Sequence, residues 1–332
     1  MKQRCLIAIA LVAAGCMMAQ TPASSKVSKP AWHAPRTADG QPDLEGVWDT
    51  ASITPLERPV ALGTKAYYTK EEAAAYEKTR HVDLNRDRRD GNADADLARA
   101  YNDSWFDRGA HLGATLRTSR VIDPSNGRFP NLLPAAKKKY DEFHAWFAAN
   151  PADSAQDRTL YDRCLVFSQT GPPLIPGNYN NMYQIVQTAD TVTIFSEMGH
   201  QARVVPLTRQ PALAAPVTQW VGDSRGHWEG DTLVIETANL RSNQQSRFGV
   251  QYEGMSDENL RVTERFTRAS PTLVIYQATV TDPTVYTQPW TIELPMAKSN
   301  EAIFEYACHE GNYGLAGILS GERAKEKASP IK

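Results

Sequence analysis

The sequence predicts a mainly β fold, an antiparallel meander that forms a barrel or a sandwich and carries a helical insertion. After Gly171, β-branched and aromatic residues alternate with polar ones in a series of short segments, a pattern typical of strands with one buried face. Turn signals such as Glu229-Gly230-Asp231 separate several of these segments, so consecutive strands are expected to pair as hairpins. A sheet of many strands hides its edges by closing or by folding over itself.

The predicted strands share this alternation and are bounded by turn residues. They are LEGVWDT (44–50), NMYQIVQ (181–187), TVTIFSE (191–197), ARVVPL (202–207), DTLVIETA (231–238), LRVTERFTR (260–268), TLVIYQATV (272–280), YTQPWTIELPM (286–296) and AIFEYAC (302–308). Trp48, Trp228 and Trp290 are expected in the core, because aromatic side chains dominate burial in such sheets.

Helical signals are confined to residues 65–165. Thr69 and Glu72 form a capping box, which marks the start of a helix. A second helical segment is predicted at 94–106. A third helix is predicted to start at Pro134, with Tyr140, Phe143 and Phe147 on one face.

The first 19 residues resemble an export signal, with Lys2 and Arg4 before a short apolar stretch at 6–14. The sequence leaves two processing routes open: a lipobox at AAGC that makes Cys16 a lipid anchor, or cleavage after Ala19. Residues 20–43 are predicted to be a flexible tether, and 44–325 a single domain. The expected location is periplasmic, outer-membrane-anchored or secreted.

Charge and motifs argue against several classes of function. The 38 acidic residues outnumber the 36 basic ones, which gives no electrostatic reason to expect nucleic acid. No later apolar run reaches the roughly 18 residues of a membrane span. The sequence lacks a Rossmann glycine fingerprint, a P-loop and a C-x-x-C-H haem motif, so no cofactor is predicted.

Two cysteines remain beyond the export segment, Cys164 and Cys308. An even number of cysteines in an exported protein most simply forms disulfides. Such a bond is worth about 4–5 kcal/mol in the chain-entropy model for a loop this long. The alternative is a pair of reduced, buried thiols.

Several motifs resemble those of a large family of exported, uncharacterised bacterial proteins. They are TADGQPDLEGVW (37–48), GPPLIPGNYNN (171–181), GDSRGHWEGDTLVIET (222–237), DPTVYTQPW (282–290) and YACHEGNYG (306–314). The resemblance implies export but carries no activity and no site residue. Gly46-x-Trp48 before a β meander is also similar to lipocalin-like barrels, where this motif closes the barrel floor.

The candidate catalytic residues are Glu305 with His309, and Glu197 with His200. If 302–308 is a strand, Glu305 and His309 share a face, and a carboxylate that orients an imidazole makes a general base. The alternative is a solvated pair. Glu197 and His200 lie at a hairpin tip, where they either point into a barrel mouth or form an exposed turn. A metal site would need His200 and His309 at the same mouth, and none is predicted.

Further candidates are residues that would bind a ligand without taking part in a reaction. They are Asn180 and Asn181, whose amides suit hydroxylated ligands, Arg203, and Trp105 with Arg108, which could cap a pocket. The alternative is that Trp105 packs the helix onto the sheet and Arg108 pairs with a carboxylate. GDSRG (222–226) matches the G-x-S-x-G pattern of serine hydrolases, but a turn and a strand follow Ser224 where that motif needs a helix.

The predicted function is an exported protein that holds a polar small molecule, sugar-like or phenolic, in a barrel-mouth pocket. Whether a hydrolase or lyase reaction follows from a His–carboxylate pair stays open. The alternatives are a non-catalytic ligand-binding or envelope-structural module and, more remotely, a serine hydrolase at Ser224.

Overall fold

An antiparallel sheet of ten strands dominates the computed structural model, which describes residues 32–99, 102–149, 152–208, 211–214, 216–241 and 259–328. The strands are β1 Gly46–Asp49, β2 Val121–Asp123, β3 Met182–Gln187, β4 Thr191–Ser196, β5 Gln201–Pro206, β6 Asp223–Glu229, β7 Thr232–Ala238, β8 Arg261–Ser270, β9 Leu273–Thr281 and β10 Trp290–Ser299. The α-helices are α1 Lys70–Leu84, α2 Ala93–Ala98, α3 Pro134–Ala149 and α4 Tyr313–Ala328. The predicted export signal and Cys16 lie outside the described residues.

The strand order is β5-β4-β3-β1-β10-β9-β8-β7-β6, with β2 beside β10, and every strand pair is antiparallel. The predicted mainly β, antiparallel fold is confirmed. The sheet is not closed, because β5 and β6 are its edges. The two edges nevertheless approach each other: a methyl group on Gly226 would lie 2.8 Å from Leu207 Cδ2 and 3.0 Å from Val205 Cγ1. A larger side chain at that point of the seam would make the side chains of Leu207 and Val205 shift.

The inner face of the sheet is packed with side chains. Trp48 and Trp290 are fully buried, as predicted, and Trp228 packs partly buried against the same core. The indole Nε1 of Trp48 donates a hydrogen bond to Leu44 O at 2.8 Å, which ties the start of β1 to the chain before it.

Part of the segment at 171–181, which carries the candidate residues Asn180 and Asn181, is buried. Residues 169–175 are buried, and two tyrosines hold them. Tyr183 Oη donates to Gln169 O at 2.9 Å, and Leu174 N donates to Tyr276 Oη at 2.9 Å. We call this buried loop the plug.

A buried ion pair crosses the interior beneath this plug. Arg203 on β5 donates through Nη2 to Glu264 Oε1 at 2.8 Å, and Tyr276 Oη donates to the same carboxylate at 2.9 Å. Arg203 is 4% exposed and Glu264 is 0% exposed. The pair links an edge strand to β8, across the sheet.

The helical predictions are confirmed for α1 and α3, and Thr69 and Glu72 form the predicted capping box. The segment predicted at 94–106 contains α2 and a short 3₁₀ turn, Asp103–Trp105. None of the helices within the described ranges is long and apolar enough to cross a membrane.

Three local predictions were wrong. Residues 223–229, interpreted as a turn, form β6. Its Asp, Ser and Gly residues are more typical of turns than of strands, so the strand was not recognised. Residues 302–308, predicted as a strand, have no strand partner; the preceding strand, β10, is already paired on both sides with β1 and β9, so the chain beyond it cannot form a hairpin with β10. Helix α4 was not predicted at all.

The described end of the predicted tether lies against the sheet. Asp43 accepts a hydrogen bond from Arg268 at 2.8 Å, and Arg36 pairs with Asp231. These contacts bind the chain to the domain before residue 44, where the domain was predicted to begin.

Cys164 and Cys308 form a disulfide, with 5.8 Å between their Cα atoms and a sequence separation of 144 residues. This bond is typical of an oxidising, extracytoplasmic environment. It joins the loop after α3 to the segment between β10 and α4.

We expect Cys308→Ser to lower the free energy of unfolding by up to about 4–5 kcal/mol, because the broken cross-link no longer restricts the unfolded chain. Urea denaturation of the wild type, both single serine variants and the double variant measures this. Since one bond needs both thiols, all three variants should lose the same amount. Additive losses in the double variant would contradict the bond.

We expect Arg203→Met to cost about 3–5 kcal/mol of stability, since it strands the Glu264 carboxylate in the core. The double variant Arg203→Met/Glu264→Leu should recover part of this loss. Arg265→Met, which removes a partner from the exposed Arg265–Glu229 pair, is the matched control and should cost less than about 1 kcal/mol. Equal losses for Arg203→Met and Arg265→Met in urea denaturation would contradict a buried, interdependent pair.

Candidate functional site

A groove of about 470 Å³ lies beside the disulfide, between the loop after α3 and the start of α4. We call it the disulfide groove. Its lining residues come from three short stretches: Tyr161, Asp162 and Cys164; Glu305, Tyr306, Ala307 and Cys308; and Gly311, Asn312, Gly314, Leu315 and Ile318. Its size falls within the range of about 300–1,000 Å³ that is usual for small-molecule sites.

Tyrosine hydroxyls meet at one wall of the groove. Tyr161 Oη lies 2.6 Å from Tyr179 Oη, and Tyr306 lies close enough to interact with both. The rings of Tyr161 and Tyr306 both pack edge-to-face with Phe167, at centroid distances of 4.9 and 5.6 Å. Phe167 therefore fixes the positions of the two groove tyrosines from behind.

The groove tyrosines stay protonated at neutral pH. Burial raises the pKa of Tyr161 and of Tyr306, and the neighbouring Tyr179 raises both further. A protonated phenol both donates and accepts hydrogen bonds. The wall can therefore bind hydroxyl groups.

Asn312 fixes the opposite side of the groove. Its side-chain Nδ2 donates to Asp162 O at 2.8 Å, and its Oδ1 accepts from Leu315 N at 3.2 Å. The second bond caps the first turn of α4. Further along this helix, Arg323 donates to Asp153 O at 2.8 Å and to Ala152 O at 3.2 Å.

The predicted pair of Glu305 and His309 does not form. Both side chains are exposed, and no hydrogen bond or ion pair joins them within the described chain. The reason is that 302–308 is not a strand, so the alternation that would align them does not apply. Glu305 instead lines the disulfide groove, and His309 does not.

Glu197 and His200 also separate. Glu197 is 3% exposed and accepts a hydrogen bond from Phe304 N at 3.3 Å. His200 is exposed, and its ring packs edge-to-face with Phe195 at 4.7 Å. Gly199 between them has a positive φ of 71°, which turns the two side chains apart.

The pKa of Glu197 is raised, mainly by burial and further by Asp107, although hydrogen bonds from Phe304 and from the Asn180 side chain oppose the shift. Burial, Asp107 and Glu301 also raise the pKa of Asp49. Four carboxylates thus share one electrostatic environment near the C-terminal segment.

Asn181 and Arg203 have structural roles. Asn181 is fully buried, and its side chain bonds Asp107 O and both backbone groups of Gly177. Arg203 is engaged with Glu264. Neither residue lines the disulfide groove.

Trp105 and Arg108 do not belong to the lining of the disulfide groove. Trp105 is 65% exposed. Arg108 donates to Asp103 Oδ1 and Leu84 O, both at 2.6 Å, and lies over the Phe106 ring. Arg108 therefore pairs with a carboxylate, the second role considered for it.

Ser224 is buried on β6, where its Oγ lies 2.8 Å from Thr237 Oγ1. Its partner is a second hydroxyl and not a base, and a strand surrounds it in place of a strand-to-helix turn. Nothing in this geometry activates a nucleophile. In the part of the chain that the structure describes, no group of three His, Cys, Asp or Glu side chains is placed to hold a metal ion.

A second groove, of about 610 Å³, lies along the seam between β5 and β6. Its charged side chains are already engaged with each other: Asp223 accepts from Leu213 N and from Arg225, both at 2.9 Å, and Arg225 donates to Pro211 O at 2.6 Å. A ligand there would have to displace these bonds. The disulfide groove, where Glu305 is uncommitted, is the stronger candidate.

Comparisons with protein-family models, with curated proteins and with solved structures find no match for this chain.

The residues of the candidate groove that the sequence analysis did not identify are Tyr161, Tyr306 and Asn312; Tyr179, which bonds Tyr161, lies outside the lining. One signal could have found most of them. The predicted Cys164–Cys308 bond places the residues that flank the two cysteines side by side, and these flanks contain Tyr161 and Tyr306.

We expect Glu197→Gln to remove a pH-dependent part of the stability. A carboxyl group whose pKa is raised on folding stabilises the folded state as the pH falls through the folded pKa towards its unfolded value of 4.5. The wild type should therefore gain stability relative to Glu197→Gln between about pH 7 and pH 4.5, measured by urea denaturation. Glu310→Gln, at an exposed position, is the control. A difference in stability between the wild type and Glu197→Gln that does not change with pH would contradict the raised pKa of Glu197.

Proposed function

We propose that this protein binds a polar, ring-containing small molecule, sugar-like or phenolic, in the disulfide groove. The observation that carries the proposal is the combination of two phenol rings, their protonated hydroxyls and an uncommitted carboxylate in one groove. Aromatic faces cover the apolar side of a ring, and hydroxyl and carboxylate groups bind its substituents.

The geometry favours binding over catalysis. An acid/base reaction needs a base within hydrogen-bonding reach of its orienting group and its substrate. The two predicted His–carboxylate pairs are separated, and the groove lining contains no histidine among the described residues. The protein then acts as a binding module of the cell envelope.

The proposed location is the periplasm, reached through the N-terminal export signal, either as a free protein or anchored at Cys16. The disulfide supports this proposal, since it needs an oxidising compartment. A soluble binding protein and an anchored one would present the same groove.

A thermal-shift screen with glucose, cellobiose, catechol and 4-hydroxybenzyl alcohol tests the function, since a ligand that binds only the folded state raises the midpoint of unfolding. We expect at least one of these probes to raise the midpoint. Tyr306→Phe should weaken its binding about twofold to tenfold, the value of one hydrogen bond, because the ring stays against Phe167 and only the hydroxyl is lost.

Tyr67→Phe is the matched control, because Tyr67 is 50% exposed and lies outside the groove lining. Binding should not change in this variant. If no probe shifts the midpoint at millimolar concentration, or if both tyrosine variants bind as the wild type does, the groove is not the binding site.

A further inference from the structure

The disulfide groove is acidic. Its lining contains two carboxylates, Asp162 and Glu305, and no lysine or arginine among the described residues. Arg158 compensates Asp162 through an ion pair of 2.9 Å. Glu305 is exposed, and no hydrogen bond or ion pair engages its carboxylate within the described ranges. One negative charge in the groove is therefore without a partner.

The surroundings of this charge increase its effect. Glu310, next to the lining residue Gly311, is also exposed and has the same sign. An anionic ligand would approach against both charges, and a neutral ligand would gain nothing from them. A cation would gain electrostatic energy both on approach and when bound.

The aromatic wall of the groove also favours a cationic ligand. The electron-rich faces of tyrosine rings attract ammonium groups, by about 0.5–1 kcal/mol at exposed sites. Tyr161 is 39% exposed and Tyr306 is half-buried, so both rings are accessible from the groove. Two phenol rings beside an unpaired carboxylate form a set of groups that suits an ammonium ion.

We propose that the disulfide groove selects ligands that carry an ammonium group on a hydroxylated ring. The inference rests on the proposed function and specifies its ligand class. Glu305 binds the ammonium group, the rings of Tyr161 and Tyr306 flank it, and the tyrosine hydroxyls bind the hydroxyl groups of the ring. Amino sugars and phenolic amines both have this chemistry.

Two sets of matched probes test the inference on the full chain by calorimetry. In the phenolic set, tyramine, tyrosol and 4-hydroxyphenylacetate differ mainly in charge. In the sugar set, glucosamine, glucose and glucuronate do the same. We expect the amine to bind about fivefold to tenfold more tightly than the neutral member, and the acid to bind most weakly. The set whose amine binds more tightly shows whether the ring of the ligand is a phenol or a sugar.

Salt provides a second readout, because screening weakens interactions between exposed charges. Added sodium chloride should weaken the binding of the amine and leave that of the neutral probe unchanged. Glu305→Gln should reduce the preference for the amine to the part that the tyrosine rings supply. Glu301→Gln, an exposed carboxylate on the same segment that does not line the groove, is the control and should keep the preference.

The outcomes separate the two proposals. Equal affinity for amine and neutral probes, or a preference that Glu305→Gln leaves undiminished, overturns the ammonium inference and leaves the proposed function intact. If no member of either set binds, the proposed function fails, and the inference fails with it.

Discussion

The disulfide between Cys164 and Cys308 is the constraint on which the candidate site depends. None of the described side chains of α4 is buried, so little apolar burial holds this helix to the domain. What remains is the covalent bond and a few polar contacts, chiefly those of Asn312 and Arg323. The bond positions Tyr306 against Phe167 and beside Tyr161, and the groove is the space left between the two joined segments.

The sheet supplies the rigid body to which these segments attach. Its interior is filled by aromatic and aliphatic side chains, and the loop at 169–175 closes one end. The Arg203–Glu264 pair crosses the interior, and Gly226 lets the two edge strands approach. The candidate groove lies outside this packed interior, beside the disulfide.

The sequence predicted the parts of the fold that depend on local patterns. Strand alternation located most of the sheet, the capping box located α1, and the cysteine count located the disulfide. Strand β6 was not predicted, because Gly226 is explained only by the close approach of β5 and β6. That contact joins residues that are distant in sequence. The segment at 302–308 looked like a strand because alternation does not reveal whether the chain reaches another strand to pair with.

The candidate site was less predictable for the same reason. Glu305 was predicted to pair with His309, and this pair does not form, because the prediction assumed a strand. Asn181 and Arg203 were proposed as ligand residues on their chemistry, and long-range contacts with Gly177, Asp107 and Glu264 instead give them structural roles. Polar residues that serve a packed interior and those that serve a ligand are alike in sequence, and only the fold separates them.

Chemical-shift mapping of the isotope-labelled protein with tyramine tests most directly whether the disulfide groove is the binding site. If tyramine binds in the groove, the signals that move belong to residues on both sides of the Cys164–Cys308 bond. These are Tyr161 and Asp162 on one side and Glu305, Tyr306 and Ile318 on the other. Shifts confined to the seam between β5 and β6, at Leu213, Gln219 and Arg225, would contradict it.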